Sequence, residues 1–286
     1  MTTPMVGGDS AAETRAAWTV GLLMAAVIAA STVLHHFFPG VLFKPVPMDG
    51  VPWSTPGWAL LLDLIPLVCG ALCFYHAKVT LGWYKAMMFL GGSFFFTGLA
   101  ENLWIFLGKH PQLLAGISGE FSSVPGTYYF TRGFFWWGDM PATICLAWFF
   151  IAYACVYIQD VLLPRTGIWA RAAVGGLMAM SLDLWLDPVQ VSPAWQSWRW
   201  ITNESIKVFS IPLTNFAAWF LLIFLFAVAF EKLPRLVAKR GVAWGTSLFF
   251  LLLLGFKLAI LVSFVLYGIP AMKYISPPIN LTLWGL

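Results

Sequence analysis

The sequence predicts an all-α integral membrane protein, a polytopic bundle of about seven transmembrane helices. Of its 286 residues, 60% are hydrophobic and only 10% are charged, and the mean hydropathy is +0.82. Soluble domains carry roughly 25% charged residues, so this chain has too few of them to keep a folded surface in water. We expect a single integral membrane domain over residues 1–286.

Seven apolar stretches can each cross the hydrocarbon core, which takes about 20 helical residues. We place them near 16–37, 57–77, 83–107, 139–162, 167–187, 208–230 and 243–268. The first stretch follows acidic residues and has no clear cleavage site, so it is predicted to be a helix and not a signal peptide. Prolines separate the stretches, and we expect breaks at Pro39, Pro45 to Pro56, Pro111, Pro164, Pro188, Pro193, Pro234 and Pro270.

The distribution of Lys and Arg favours a multi-pass protein of the cell membrane with a cytoplasmic N-terminus. In that orientation the inside segments hold Arg15, Lys78, Lys85, Arg165, Arg171, Lys232, Arg235, Lys239 and Arg240. The outside segments hold Lys44, Lys109, Arg132, Arg199, Lys207 and Lys273. The formal charge of +4 forms no basic stripe, so nucleic acid is not expected as a partner.

Two long connections, 108–138 and 188–207, are rich in aromatic residues and fall on the same side of the predicted membrane. One interpretation is an aromatic belt, because Trp and Tyr favour the membrane interface. The other is a pair of lids over a site that opens toward the bilayer. Both interpretations are consistent with the sequence.

Ionisable residues inside a membrane are costly and mark functional sites by default. Within or at the edges of the predicted helices the chain has Asp63, Glu101, Asp139, Asp183, Asp187 and Lys257. In a bundle of alternating direction, one half of the membrane holds Glu101, Asp139, Asp183, Asp187, Asn215, His35 and His36. This convergence predicts a polar site in that half.

Asp183 and Asp187 are four residues apart, so they lie on one face of a helix. Like charge, the dipole at a helix C-terminus and apolar surroundings all favour a protonated carboxyl group. Such a group is a candidate general acid. The alternative is that Asp187 only ends the helix before Pro188.

Most of the other polar residues also have a structural explanation. Glu101 is predicted to be functional, whereas Asp139 is predicted to be an N-cap with Pro141 just inside the helix. Asn215 could form an interhelical hydrogen bond, and the two histidines fit an interfacial position.

Metal, nucleotide and retinal chemistry find little support in the sequence. Four histidines are too few for a membrane di-iron enzyme, and the four cysteines have no zinc-like spacing with them. No glycine-rich nucleotide motif is present. Lys257 in the last helix lacks the pattern of a retinal site, since position 253 is Leu. We therefore predict no bound metal.

The segment SLDLWLDPVQVSPAWQSWRWITNESIKVFSIPLTNFAAWF resembles the membrane carotenoid-biosynthesis family, which includes carotenoid 1,2-hydratases and bisanhydrobacterioruberin hydratases. The matches to the family pattern are Asp183, Asp187, Pro188, Trp198, Trp200, Pro212, Asn215, Trp219 and Phe220. Weaker matches are GTYYFTR (126–132), PATICLAWFFIAY (141–153) and Glu101. The family has Gly where this chain has Ser210 and Ala218.

The resemblance implies a hydratase of the lyase class that adds water to a terminal double bond of an acyclic carotenoid end. Protonation gives a tertiary carbocation, which water then traps, and no cofactor is needed. The catalytic candidates are Asp183, Asp187, Glu101 and Asn215. The candidate substrate-binding residues are Tyr129, Trp148, Trp185, Trp198 and Trp219. Among them, the rings of Trp148, Trp185 and Trp219 are candidates to stabilise the cation.

Two other classes of function remain open from the residues. One is a transmembrane terpenoid cyclase or a Mg²⁺-dependent prenyltransferase acting on a polyprenyl lipid, since Asp183 and Asp187 have the spacing of an aspartate motif. The other is a non-enzymatic transporter or a pigment-binding subunit. The expected partners are a lipophilic isoprenoid from the bilayer and membrane lipids, and a homo-oligomer is left open.

Overall fold

The computed structural model describes residues 9–40, 50–110, 128–200, 206–268 and 279–281. Their helices are α1 (Ala11–Phe37), α2 (Pro56–Leu81), α3 (Trp83–Lys109), α4 (Ala142–Leu162), α5 (Ile168–Gln190) and α6 (Leu213–Ser263). Each is long and apolar enough to cross a membrane. A π-helical turn, Phe264–Gly268, follows α6.

The last helix turns back on itself. With 51 residues and about 1.5 Å per residue, a straight α6 would be more than twice as long as the hydrocarbon core is thick. Gly241 has φ 77° and ψ 168°, which are not helical angles. The rings of Phe230 and Phe249, on either side of it, lie 6.3 Å apart. We therefore divide α6 into a first arm, 213–240, and an antiparallel second arm, 242–263.

These two arms confirm the predicted bundle of about seven membrane-crossing segments. Two predicted breaks are wrong in detail. The helix continues through Pro234 to Gly241, and α5 continues through Pro188 to Gln190. A proline within a helix removes one backbone hydrogen bond, which bends the helix without having to end it. The reversal needs a positive φ, and glycine adopts that angle most easily.

Aromatic rings fill the centre of the bundle. Phe89 of α3 contacts Phe226 and Phe230 of the first arm with ring centroids 4.7 Å apart. Phe89 also contacts Phe149 and Tyr153 of α4. Edge-to-face packing of this kind adds to the stabilisation from buried area. The packing places α3 at the centre, between α4 and α6.

The two sides of the bundle differ in their polar contacts. We call the side where α1 begins the N-terminal side and the opposite one the site side. On the N-terminal side, Tyr84 Oη is 2.6 Å from Thr246 Oγ1, and Arg171 forms ion pairs with Asp160 and Glu231. The described connecting segments 50–55, 128–141, 191–200 and 206–212 all lie on the site side.

Short strands organise the site side. The strands are β1 (Tyr128–Phe130), β2 (Trp136–Trp137), β3 (Met140–Pro141), β4 (Trp198–Trp200), β5 (Ile206–Val208), β6 (Ile211–Pro212) and β7 (Ile279–Leu281). β1 pairs antiparallel with β4, and Tyr128 lies opposite Trp200. β2 pairs with β3, and β5 lies between β6 and β7. The two aromatic connections therefore meet, although 111–127 and 201–205 lie outside the described residues.

The β2–β3 hairpin is held by the ends of the neighbouring helices. His35 Nε2 donates to the Gly138 carbonyl at 2.6 Å, and His36 Nε2 donates to the Phe134 carbonyl at 2.8 Å. Asn102 donates to the Trp137 carbonyl and accepts from the backbone N–H of Asp139 at 2.7 Å. The predicted N-cap role of Asp139 is wrong. The chain enters α4 from β3, so Pro141 takes the N-cap position.

Replacing Gly138 by Ala is expected to destabilise the protein strongly. Gly138 has φ +58°, and an added Cβ would lie 2.1 Å from Asn102 Oδ1. Left-handed strain alone costs about 1–3 kcal/mol, and the overlap would also break the Asn102 hydrogen bonds. We expect a clearly lower Tm in a thermal-unfolding assay of the detergent-solubilised protein. Gly57→Ala is the control, because nothing lies within 4 Å of its added Cβ; equal Tm values for the two variants would contradict this account.

Candidate active site

A cavity of about 440 Å³ lies in the site half of the bundle. Helices α2 to α6 form its walls, and β1 and β4 lie across its end. Most of its lining is apolar, with a small number of polar groups. The polar and aromatic lining residues are Asp63, Glu101, Arg132, Thr143, Asp187, Gln190, Ser197, Asn215, Tyr128, Phe130, Trp148, Phe150, Trp195, Trp198, Trp200 and Trp219.

Two aspartates meet at one asparagine. Asn215 Nδ2 of α6 donates to Asp183 Oδ2 at 2.8 Å and to Asp187 Oδ2 at 2.7 Å. Asp187 lines the cavity, whereas Asp183 is fully buried behind it. Asp183 Oδ1 has no hydrogen-bond partner among the described residues. Two negative charges this close repel each other, and one proton held by the pair removes the repulsion.

A third carboxyl group lines the same cavity. Trp148 Nε1 donates to Glu101 Oε1 at 3.0 Å, and both side chains are buried. The ring of Trp148 lies 4.3 Å, centroid to centroid, from that of Trp219. The two rings line the cavity beside the carboxyl groups. Aromatic faces and acids thus surround one apolar space, an arrangement that can protonate a bound molecule and stabilise a cation in it.

Asp63 of α2 holds the segment that leads into α4 by hydrogen bonds. Its Oδ2 accepts from the backbone N–H groups of Phe134 at 3.0 Å and Phe135 at 3.4 Å, and its Oδ1 accepts from Thr143 Oγ1 at 2.7 Å. Because both oxygens are occupied by donors, Asp63 has a structural explanation although it lines the cavity.

The two paired connections cover the site end of the cavity, and we call 128–132 together with 195–200 the lid. Tyr128 and Phe130 of β1, and Trp198 and Trp200 of β4, line the cavity. The backbone N–H of Thr131 donates to the Ser197 carbonyl at 3.1 Å. The structure therefore supports the lid interpretation of these connections.

Arg132 links the lid to the connection before α2. Its Nη1 donates to the carbonyls of Pro52 at 3.1 Å and Trp195 at 2.5 Å, and its Nη2 donates to Ser197 Oγ at 2.8 Å. Burial lowers the pKa of the Arg132 guanidinium, and the nearby Asp63 carboxylate partly offsets this effect. The group still stays charged at neutral pH, because arginine starts from a very high pKa.

We expect Arg132→Met to loosen the lid and to lower activity about tenfold or more. The variant loses charge-assisted hydrogen bonds, each worth about 1.5–3 kcal/mol, and leaves carbonyl groups without a donor. Arg132→Lys should restore only part of the activity, since an ammonium group cannot donate to all three acceptors as the two guanidinium nitrogens do. Hydrogen exchange measured by mass spectrometry should be faster at 195–200. Arg165→Met, at an exposed site on the N-terminal side, is the control. If residues 195–200 exchange as slowly in Arg132→Met as in the unmodified protein, Arg132 does not hold the lid.

The structure brings most of the sequence-predicted site residues together. The four catalytic candidates (Glu101, Asp183, Asp187 and Asn215) form one group at the cavity, and Trp148, Trp198 and Trp219 line it. Trp185 does not line the cavity. It is 65% exposed on the outside of α5, because a residue midway between Asp183 and Asp187 lies on the opposite helix face. Its prediction as a substrate-binding residue is therefore corrected.

Tyr129 does not line the cavity, whereas its two neighbours in β1 do. Successive side chains of a strand point to opposite faces, so Tyr128 and Phe130 line the cavity and Tyr129 does not. Thr143 and Arg132 were also missed as lining residues. The alternation of faces in the strand YYF could have indicated Tyr128 and Phe130 as lining residues. The pairing of β1 with β4 could not be predicted from the sequence.

Neither Lys257 nor a metal-ligand cluster belongs to this site. Lys257 lines a different cavity, beside Phe96. Among the described residues, no group of three or more His, Cys, Asp and Glu side chains is arranged to hold a metal ion. All four cysteines are free thiols.

Fold and cavity together define an integral membrane protein with an acid-lined, aromatic cavity inside the bilayer region. The sequence model of the family described as "carotenoid biosynthesis protein" matches residues 116–281, more than half of the chain. The chain belongs to this family. Comparisons with curated proteins and with solved structures gave no match. A role in carotenoid biosynthesis, at a membrane, follows from the family.

Proposed function

We propose that this protein is a carotenoid hydratase that adds water to a terminal double bond of an acyclic carotenoid end. The observation that carries the proposal is the bridge from Asn215 to Asp183 and Asp187 at the wall of an apolar cavity. It supplies an acid next to a space that fits an apolar chain. Membership of the family supports the substrate class.

Asp187 takes the role of the acid in this proposal, because it lines the cavity and Asp183 does not. Its carboxyl proton adds to one carbon of the terminal double bond, and the other carbon becomes a tertiary carbocation. The water oxygen bonds to that carbon and releases a proton, which restores the carboxylic acid. The product is a tertiary alcohol, and neither an oxidant nor a reductant is consumed.

The neighbouring side chains have distinct tasks. Asp183 and Asn215 hold the Asp187 carboxyl group in place and keep one proton on the pair. Glu101, fixed by Trp148, positions the water. The faces of Trp148 and Trp219 stabilise the cation by about 2 kcal/mol in a dry site. The lid keeps bulk water away from the cation.

Expression in a bacterium that accumulates lycopene tests the proposal. We expect a more polar pigment, heavier by one water, which carries ¹⁸O when cells grow in H₂¹⁸O. Chromatography and mass spectrometry of extracts would show it. A pigment of unchanged mass but altered retention would replace the proposal with a cyclase. Unchanged lycopene beside well-folded protein would overturn the carotenoid-hydratase assignment for this substrate.

The metal requirement separates hydration from prenyl transfer. Hydration by a carboxylic acid should continue in membranes treated with EDTA and supplied with lycopene. Loss of activity with EDTA and its return with Mg²⁺ would favour the prenyltransferase alternative, in which Asp183 and Asp187 would bind the metal.

We also propose that the chain lies in the cell membrane with its N-terminal side in the cytoplasm. The excess of Lys and Arg on that side supports this orientation. A reporter enzyme that is active only in the cytoplasm should be active when fused to the N-terminus and inactive when fused to the C-terminus. The reverse result would invert the orientation and place the lid on the cytoplasmic side.

A further inference from the structure

A second cavity, of about 940 Å³, lies between α1 and the second arm of α6. We call it the α1–α6 groove. Its floor is formed by Phe95, Phe96 and Leu99 of α3. Glu101 lies two residues beyond Leu99 and points to the other side of α3, into the candidate active site. The proposed hydration does not use this groove.

One cation is buried in the wall of the groove. Lys257 is only 6% exposed, and its Nζ lies 4.3 Å from the centroid of the Phe96 ring. The charge of Glu101 lies within electrostatic range of it. Among the described residues, no acceptor lies within hydrogen-bond distance of its ammonium group. Glu101 forms no ion pair with Lys257, so within the described part of the chain no anion in direct contact offsets the desolvation of this ammonium group.

The position of Lys257 restricts what that anion can be. Lys257 is about 24 Å from Gly241 along the helix, and the helix continues beyond it to Ser263, so its amine lies within the hydrocarbon region. The groove around it is lined by Leu99, Leu253 and Leu254. A phospholipid headgroup would lose its hydration there without gaining polar partners. A single carboxylate at the end of an apolar chain needs only the one cation.

The shape of the groove fits such a chain. Its lining runs along the second arm from Ala243 to Lys257, about 21 Å of helix. Between these ends most of the lining residues are apolar, with Val20, Leu23 and Phe250 among them, and the hydroxyl side chains of Thr19, Thr246 and Ser247 are the exceptions. Arg15 lies at the far end, on the N-terminal side. A carboxylate at Lys257 would thus place the tail along the apolar walls.

We propose that the α1–α6 groove binds a long-chain carboxylic acid, whose carboxylate accepts a charge-assisted hydrogen bond from Lys257. The site is separate from the candidate active site and does not depend on the proposed hydratase activity. Its ligand class is a fatty acid or a terpenoid acid of similar length, which share one carboxylate and one unbranched or lightly branched chain.

Photocrosslinking of the full chain in lipid nanodiscs tests the site. The probe is a palmitic acid that carries a diazirine in its chain, and peptide mass spectrometry maps the labelled residues. We expect labels on α1 and on the second arm of α6, near Val20, Leu23 and Phe250. Excess palmitate or a terpenoid acid should compete, and the better competitor identifies the natural source. A palmitate methyl ester should not compete, because it lacks the anion.

Lys257→Met should reduce the labelling at least about tenfold, since a hydrogen bond to a charged group is lost. Lys257→Arg should retain most of it. Lys239→Met, which removes an exposed cation from the first arm, is the matched control. Equal labelling of Lys257→Met and the unmodified protein would overturn the proposal. Two other results would also do so: labelling lost in Arg15→Gln instead, or competition by the methyl ester.

Discussion

Asp187→Asn is expected to lower the turnover of an acyclic carotenoid about 10²- to 10⁴-fold, the usual contribution of a general acid. Asparagine keeps the size of the side chain but cannot donate a proton to carbon. Asp183→Asn should also abolish most turnover, because the proton is held by the pair and not by one carboxyl group. The measurement is the rate of hydrated pigment formation in membranes at matched protein levels.

Both variants should still insert and fold, since Asn215 can hydrogen-bond to an amide oxygen in place of either carboxylate. Asp160→Asn is the control, because Asp160 lies on the N-terminal side, far from the cavity, and is paired with Arg171. The pH profile separates the roles: residual turnover in Asp183→Asn should change its pH dependence, which a purely structural defect would not do. Full activity in the double variant would end the assignment of both aspartates.

The membrane bundle could be predicted because it depends on composition and on local breaks. Apolar stretches of helical length and the prolines between them indicate helices without knowledge of tertiary contacts. The convergence of Glu101, Asp183, Asp187 and Asn215 followed from alternating direction alone. The expected break at Pro234 was wrong, because a proline can bend a helix without ending it. Only the packing of the two arms decides between a bend and an end.

The errors at the site have a common physical cause. Trp185 and Tyr129 were chosen for residue type, but the face of a side chain is set by its angular position on a helix or by its place in a strand. The contacts of Asp63 with 134 and 135, and of Arg132 with the Pro52 carbonyl, join residues far apart in the chain. No local pattern encodes such contacts.

The candidate active site also has an opening on its lateral side, which leads to the last prediction. Residues from α2 and α5 line the cavity on either side of α4, and two of them, Ile65 and Leu182, are themselves exposed on the outer surface. An exposed lining residue marks a rim, so the cavity opens between α2 and α5 over Ala147 and Ile151 of α4. This side of the bundle faces lipid, where a carotenoid is dissolved.

Ala147→Trp should therefore block access and reduce turnover of a long carotenoid by about tenfold or more, because an indole would fill space beside Trp148 that the substrate needs. A short acyclic terpene with the same end group should retain more activity than lycopene, since it needs less of the opening. Ile158→Trp, on the exposed surface of the same helix, introduces the same indole group without entering the cavity. If both variants process lycopene at the normal rate, the substrate does not pass over Ala147, and the lid would become the route to the acids.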